Sequence, residues 1–391
     1  MSMKKILYID IPFVGINDGG ANRSKFIWNT LISQYEVDWL ELIRTGIPEA
    51  KGLPGNMNDH YQIQAEIDRR AFHPVMIFRF SDKVKAKFIE IIKNNKYDLI
   101  FIRFASPAKL AKLAEPYCSA IVFDIDMLLS RLSHLSWKQA PVLKNRYYLI
   151  ESTKQRWFEQ KFFQRKYLFL FTNYLEKEMV QHRLKLEKAD NFAVLPNVME
   201  TREALSSQKQ DRILFFGTLT SAANADALKY ISQDIYPLIE QELERRDLFL
   251  DIAGRGWHDR FKEYFANKGR LRYIGEVEDI QEEIANSLFI FLPLRIASGT
   301  RTRILEVANQ YKAVITTPIG MEGFQLTGEE IIIEKDAEKL AEEFNLLLNN
   351  ELLRESLGQK LHFKCRELYL DNNVSTTLKV MLEKWWKKYH E

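Results

Sequence analysis

Cysteine is scarce. Cys118 and Cys365 are the only two in 391 residues, far apart and outside any Cys-x-x-Cys or Cys/His cluster, which argues against a disulfide framework and a structural zinc site and fits a reducing compartment. Long apolar runs are also missing: nowhere do 18 apolar residues follow one another, so no segment reads as a membrane-spanning helix. The opening run KKILYID is interrupted by Asp10 and Pro12, with no small-residue cleavage site after it. It reads as a first buried strand rather than a secretory signal. With 16 glycines and 11 prolines, collagen-like and low-complexity readings fall away.

What is present is ordinary globular material, 46% apolar and 28% charged, enough to bury real cores, and at about 150 residues per domain the length suggests two. The net charge of +3 hides an asymmetry. Residues 1–200 carry 30 Lys+Arg against 22 Asp+Glu, the remainder 26 against 31. Within 127–166 nine basic residues (Arg131, Lys138, Lys144, Arg146, Lys154, Arg156, Lys161, Arg165, Lys166) face only Glu151 and Glu159, interleaved with Trp137, Tyr147, Tyr148, Trp157, Phe158, Phe162 and Phe163. Such a segment suits either peripheral contact with an anionic membrane or an ordinary aromatic core under solvated lysines. No nucleic-acid-binding module is present, so no nucleic-acid partner is expected.

Short apolar runs alternate with amphipathic segments, the pattern of βα units around a parallel sheet. One series places strands at 4–10, 36–41, 97–103, 120–124, 167–171 and 192–195, with a helix over 21–34; a second places strands at 213–216, 248–253, 271–274, 288–292, 313–316 and 331–333. Helices are expected in the second series at 224–245, 257–267, 278–286, 301–310 and 336–349. The expected organisation is an N-terminal Rossmann-like domain over 1–198, a polar linker over 199–212, a second Rossmann-like domain over 213–372, and a last helix, 373–391, crossing back to the first domain.

The most informative stretch is FLPLRIASGTRTRILEVANQYKAVITTPIGMEGF, residues 291–324. A buried strand leads through Ser298, Gly299 and Thr300 into a helix whose first turns hold Arg301, Arg303 and Glu306. Backbone amides at a helix start, a glycine that admits close approach and two arginines are the elements of a phosphate site. Glu306, about a turn deeper, is placed to accept hydrogen bonds from ribose hydroxyls. Solvated arginines paired to Glu306 are the plainer alternative.

In order along the chain stand Phe216-Gly217, Asn224-Ala225-Asp226-Ala227-Leu228, Ile252-Ala253-Gly254-Arg255-Gly256, Ile274-Gly275-Glu276-Val277, Pro293-Leu294-Arg295, the 298–306 segment and Pro318-Ile319-Gly320-Met321-Glu322-Gly323. This ordered set over roughly 213–350 resembles the second domain of the two-domain GT-B glycosyltransferases of family 4, formerly group 1. The resemblance implies an α/β chain of two Rossmann-like doubly wound domains facing a central cleft. It also implies a cytoplasmic, retaining, metal-independent hexosyltransferase with a nucleotide-diphosphate-sugar donor and a glycan or lipid-linked saccharide acceptor. Its setting would be cell-surface polysaccharide biosynthesis, with no cofactor beyond the donor, at the inner face of the membrane.

Carried over residue by residue, Glu306 matches the second acid of the family's Glu-x7-Glu motif, while the first acid is replaced by Ser298. Donor contacts then pass to Ser298, Gly299 and Thr300, and to Gly217 and Thr218 after the domain's first strand. The Arg and Lys that many members place there are absent, so diphosphate charge falls to Arg301 and Arg303, with Arg255 as a third cation. In the first domain, Gly19, Gly20 and Arg23 stand where the family's glycine-rich loop meets acceptor or diphosphate. Asp124 and Asp126 stand near the family's reacting-centre His, either to orient or deprotonate an acceptor hydroxyl or to cap local structure. The missing first acid also leaves open a catalytically silent nucleotide-sugar-binding scaffold, and the fold a sugar-nucleotide epimerase or hydrolase.

Overall fold

The computed structural model describes residues 3–14, 19–44, 52, 54–55, 57–67, 73–139, 142–200, 202–205 and 212–390, the side chains of 142–145 and 390 apart. The chain divides into two compact units, one of residues 1–133, 147–198 and 371–391, the other of 134–146 and 199–370.

In the first unit, β1 (Lys5–Asp10), β2 (Glu36–Ile43) and β3 (His60–Gln64) are followed by a short antiparallel pair, β4 (Glu66–Ile67) with β5 (Phe78–Arg79). Then come β6 (Leu99–Arg103), β7 (Ile121–Ile125), β8 (Leu168–Phe171) and β9 (Phe192–Val194). Apart from the short pair these make one parallel sheet in the order β3-β2-β1-β6-β7-β8-β9. Its central strands β6, β7 and β8 are largely apolar and buried because both faces are covered. Alternate residues of β1 feed two cores: Leu7 and Ile9 pack on one side with Phe88, Phe123, Phe162 and Phe163, Ile6 and Tyr8 on the other with Ile27, Trp28 and Leu31. The second core also takes Val374, Leu378, Leu382 and Trp385 from the last helix, Asp371–His390.

The second unit holds a six-stranded parallel sheet of β10 (Arg212–Phe216), β11 (Phe249–Ala253), β12 (Leu271–Gly275), β13 (Ile290–Leu292), β14 (Val314–Thr316) and β15 (Ile332–Ile333), ordered β12-β11-β10-β13-β14-β15. This is the Rossmann order, and strand direction along the sheet reverses its progress between β10 and β13. The equivalent reversal in the first sheet lies between β1 and β6. Ligands of open α/β sheets bind outside the carboxyl ends of strands at such points.

Several elements depart from the sequence reading. The two units break at 198/199 and 370/371, against expected breaks at 198/199 and 372/373, and residues 134–146 group with the second unit. Met199, the first residue of the expected linker, already packs with the second unit: it is buried in that unit's core, and its N–H donates to the Tyr369 carbonyl at 2.7 Å. Residues 201 and 206–211 of the expected linker lie outside the described ones. The single helix expected over 224–245 runs as Ala222–Tyr230, a π-helical turn Ile231–Ile235, and Tyr236–Arg245. The helix expected over 257–267 shrinks to a 3-10 turn, Asp259–Phe261, and Lys262–Phe265.

Candidate functional site

At the switch point of the second sheet, the residues after β10 and β11 hold one another by backbone bonds. The Gly217 N–H donates to Ala253 O at 3.0 Å, Leu219 N–H to Arg255 O at 2.9 Å, and Gly254 N–H to Gly275 O at 2.7 Å. The approach is so close that a Cβ on Gly254 would lie 1.9 Å from the Gly217 carbonyl oxygen, and both glycines have positive φ, +147° and +148°. Only glycine satisfies both conditions at once. Asn224, in the first turn of helix Ala222–Tyr230, closes the turn by donating to Thr218 O at 2.9 Å.

Beyond β13, Leu294 N–H turns back onto Leu292 O at 2.8 Å, and Arg295 pairs bidentately with Asp226 at 2.9 and 3.0 Å. The chain then runs through buried Ser298, Gly299 at φ +72° and buried Thr300 into helix Thr302–Asn309, which Arg301 precedes as the N-cap residue. The Ser298–Thr300 loop thus brings backbone to the helix N-terminus beside the Gly217 turn, an arrangement suited to anionic groups.

The structure separates the charged residues of this segment. Arg303 was expected to face diphosphate; its guanidinium instead donates to the Phe216 carbonyl and, at 2.9 Å, to Asn224 Oδ1. This is a correction: the side chain is turned onto the end of β10 and the Gly217 turn, where the Phe216 carbonyl and Asn224 take its donors. Burial, then the nearby Arg301, lower its pKa to about 10, with Glu306 opposing. Glu306 is partly buried, and burial raises its carboxyl pKa against the pull of Arg303 and Arg202. Among the described residues it has no hydrogen-bond partner. Arg255 is exposed on the turn after β11. Among the described residues there is no cluster of three or more His, Cys, Asp or Glu that could hold a metal ion.

At the switch point of the first sheet lies a buried charge cluster. Asp10 ends β1, Arg103 ends β6, Asp124 is near the end of β7, and all three are fully buried. Arg103 binds Asp124, Asp126 at 3.0 Å, Ser24 Oγ at 3.2 Å and Gly20 O at 3.3 Å. Arg23, on helix Gly19–Ile32, spends its guanidinium on Asp124 at 2.5 and 2.9 Å, Leu195 O at 2.8 Å, Pro196 O at 3.0 Å and Asn197 Oδ1 at 2.9 Å. Burial would raise the Asp124 pKa, but Arg23 and Arg103 hold it below its usual value. Asp10 is different: burial pushes it up to about 6, only partly offset by Arg103.

These contacts correct three expectations. Asp124 is sealed and doubly paired, so it is neither an acceptor-side base nor a cap. Arg23 is turned inward and does not face a ligand. Gly19 and Gly20 form the first helical turn rather than an open loop, and the neighbouring Asp18 lies outside the described residues. Asp126, at 15% side-chain exposure, is paired to both Arg103 and Arg23. Sequence reasoning missed Arg103. The signal was available: three adjacent, largely apolar strands carry a charge at or next to their carboxyl ends, at Asp10, Arg103 and Asp124.

Two parallel Rossmann-type sheets in one chain, with a phosphate-type loop at the second switch point, define a two-domain GT-B glycosyltransferase fold. Residues 210–350, within the second unit, match the family model described as glycosyl transferases group 1. No curated protein matches its sequence. Among solved structures it is similar to a glycosyltransferase from Rickettsia africae, at 16% identity over 99% of this chain and 100% of that one, with a TM-score of 0.69. WaaG, a glycosyltransferase involved in lipopolysaccharide biosynthesis, is 11% identical over 95% and 99% of the two chains, TM-score 0.67. HepE of Anabaena, in complex with UDP-glucose, is 11% identical over 97% and 99%, TM-score 0.63. At such identities the likeness is one of fold.

Proposed function

We propose that the chain transfers a hexosyl group from a nucleotide-diphosphate-sugar donor to a glycan or lipid-linked saccharide, with retention of anomeric configuration and without a metal. The setting is the cytoplasmic side of cell-surface polysaccharide biosynthesis. The observation that carries the reading is the second switch point: the Ser298–Thr300 loop beside the Gly217 turn, with Glu306 lacking a hydrogen-bond partner among the described residues. That HepE is found with UDP-glucose supports a nucleotide-sugar donor.

In this reading Glu306 accepts the ribose hydroxyls, and the backbone of 298–300 with Gly217 and Thr218 borders the diphosphate and sugar. Arg301 and the amides at the start of helix Thr302–Asn309 stabilise the leaving diphosphate, where negative charge develops. The bond from the anomeric carbon to the diphosphate oxygen breaks, and the bond to the acceptor oxygen forms on the same face. The acceptor proton passes to the departing phosphate oxygen, so no side-chain base is required. Arg303 acts by fixing the Gly217 turn.

The test is acceptor-dependent transfer from UDP-, GDP- and ADP-sugars, with the linkage of the product read by NMR. The expected product has the anomeric configuration of its donor, and Arg301→Ala lowers kcat by roughly 100-fold, the scale of losing one charge-stabilising group. An inverted product, or donor hydrolysis indifferent to any acceptor, would contradict the reading.

A further inference from the structure

Helix Val142–Phe162 shows what its mixed sequence is for. Phe162 and Phe163 are buried in the first unit's core, whereas Tyr147, Ile150 and Trp157 are 54%, 58% and 56% exposed. At 100° per residue Tyr147, Ile150, Trp157 and Lys161 fall within an arc of about 80°. Arg146, also exposed, lies about 20° outside that arc, whereas exposed Leu149 and Arg156 point more than about 100° away from its centre. The only acids of the helix are turned inward. Glu151 accepts from Val75 N–H and pairs with Lys154, and Glu159 is held by Ser130 and Arg183. The exposed side therefore carries apolar groups and positive charge with no negative charge of its own. Beyond its end, Lys166 is exposed, and so is Arg165, which lies 3.7 Å from Glu115. On helix Tyr174–Leu184, Tyr174 and Leu175 are exposed beside Lys177, and Glu178 is its exposed acid.

We propose that this face docks on an anionic lipid bilayer, with Tyr147, Ile150 and Trp157 at the headgroup–acyl boundary and Arg146 and Lys161 on lipid phosphates. Charge complementarity selects an anionic partner, and the exposed aliphatic and aromatic side chains select lipid. Lys161 Nζ sits 3.8 Å above the Trp157 ring centroid. That occupies the face a nucleic-acid base would stack on, while an indole with a cation beside it matches the bilayer interface.

The proposal is independent of the catalytic reading, and its test contains neither donor nor acceptor. The full chain is sedimented with phosphatidylcholine vesicles, with and without phosphatidylglycerol. Binding is expected only with phosphatidylglycerol, weakening as salt rises. Each of Arg146→Gln and Lys161→Gln is expected to reduce partitioning about fivefold, and Ile150→Ser with Trp157→Ala to abolish it, with thermal midpoints unchanged because all four side chains are exposed. Removing two exposed lysines of the second unit, Lys339→Gln with Lys360→Gln, leaves partitioning intact. No binding, equal binding to both vesicles, an equal loss in that control pair, or capture by nucleic acid in place of vesicles would each overturn the assignment.

Discussion

Gly254 leaves no room for a side chain: its Cβ would strike the Gly217 carbonyl oxygen at 1.9 Å, at a φ of +147°. Since the obstacle is backbone, it cannot swing aside. Gly254→Ala is therefore expected to cost about 2–4 kcal/mol of stability, the range of strained or overpacked substitutions, and to weaken donor binding with it. Urea unfolding of the two proteins decides this; an unchanged midpoint would show that the turn is not as tight as described. In the first unit the buried cluster makes a prediction about pH. Asp10 titrates near 6 when folded against 3.8 as its reference. Between those values the folded state binds more protons than the unfolded one, so its contribution to stability falls as pH rises from about 4 to 6. Asp124, held low by Arg23 and Arg103, has the opposite sign: its contribution is present above the unfolded pKa and lost as pH falls. Replacing Asp10 by Asn removes the first dependence alone. Relative to wild type, Asp10→Asn should be more favourable at pH 7 than at pH 4.5; the reverse order would contradict the assignment.

Elements were legible where burial makes a strand continuous in apolar residues, as in LIFIR of β6 or IVFDI of β7. The polar β3, HYQIQ, was not, because an edge strand has one neighbour and tolerates Gln and His. The π turn at Ile231–Ile235 was also hidden, since one extra residue within a helix barely disturbs its apolar spacing. In the site, Ser298–Thr300 was readable from its glycine between a strand and a helix. The inward turns of Arg23 and Arg303 were not, because their partners, Asp124 and Phe216, lie 101 and 87 residues away. The last helix, Asp371–His390, makes its own prediction. Leu378 is fully buried in a first-unit core that also holds Ile27 and Leu31, so Leu378→Ala should destabilise that unit by about 2–5 kcal/mol. A helix attached only loosely would show no such loss in hydrogen exchange or urea unfolding.

At the scale of the molecule, the two units use one sheet topology for different ends. Each places its chemistry-bearing residues beyond the carboxyl ends of the strands where the order reverses. In the first, the position is filled by an internal ion cluster that ties β1, β6, β7 and helix Gly19–Ile32 to the chain at Leu195–Asn197. In the second, Arg303 is bonded to the backbone of the turn, and the strand ends are bordered by the Ser298–Thr300 loop, Arg301 and Glu306. Removing one partner of a buried charge cluster usually costs several kcal/mol, so the first is a fixed scaffold, and the second is the position proposed for the donor. The central claim is thus that the second unit binds a nucleoside-diphosphate sugar through Glu306. A thermal-shift titration with UDP, GDP, ADP and their sugars tests it most directly. At about 100 times its dissociation constant a ligand adds roughly 2.7 kcal/mol and raises the midpoint by several degrees. The account predicts a rise with one nucleotide class that Glu306→Ala abolishes; a midpoint indifferent to every nucleotide, or a rise untouched by the substitution, would contradict it.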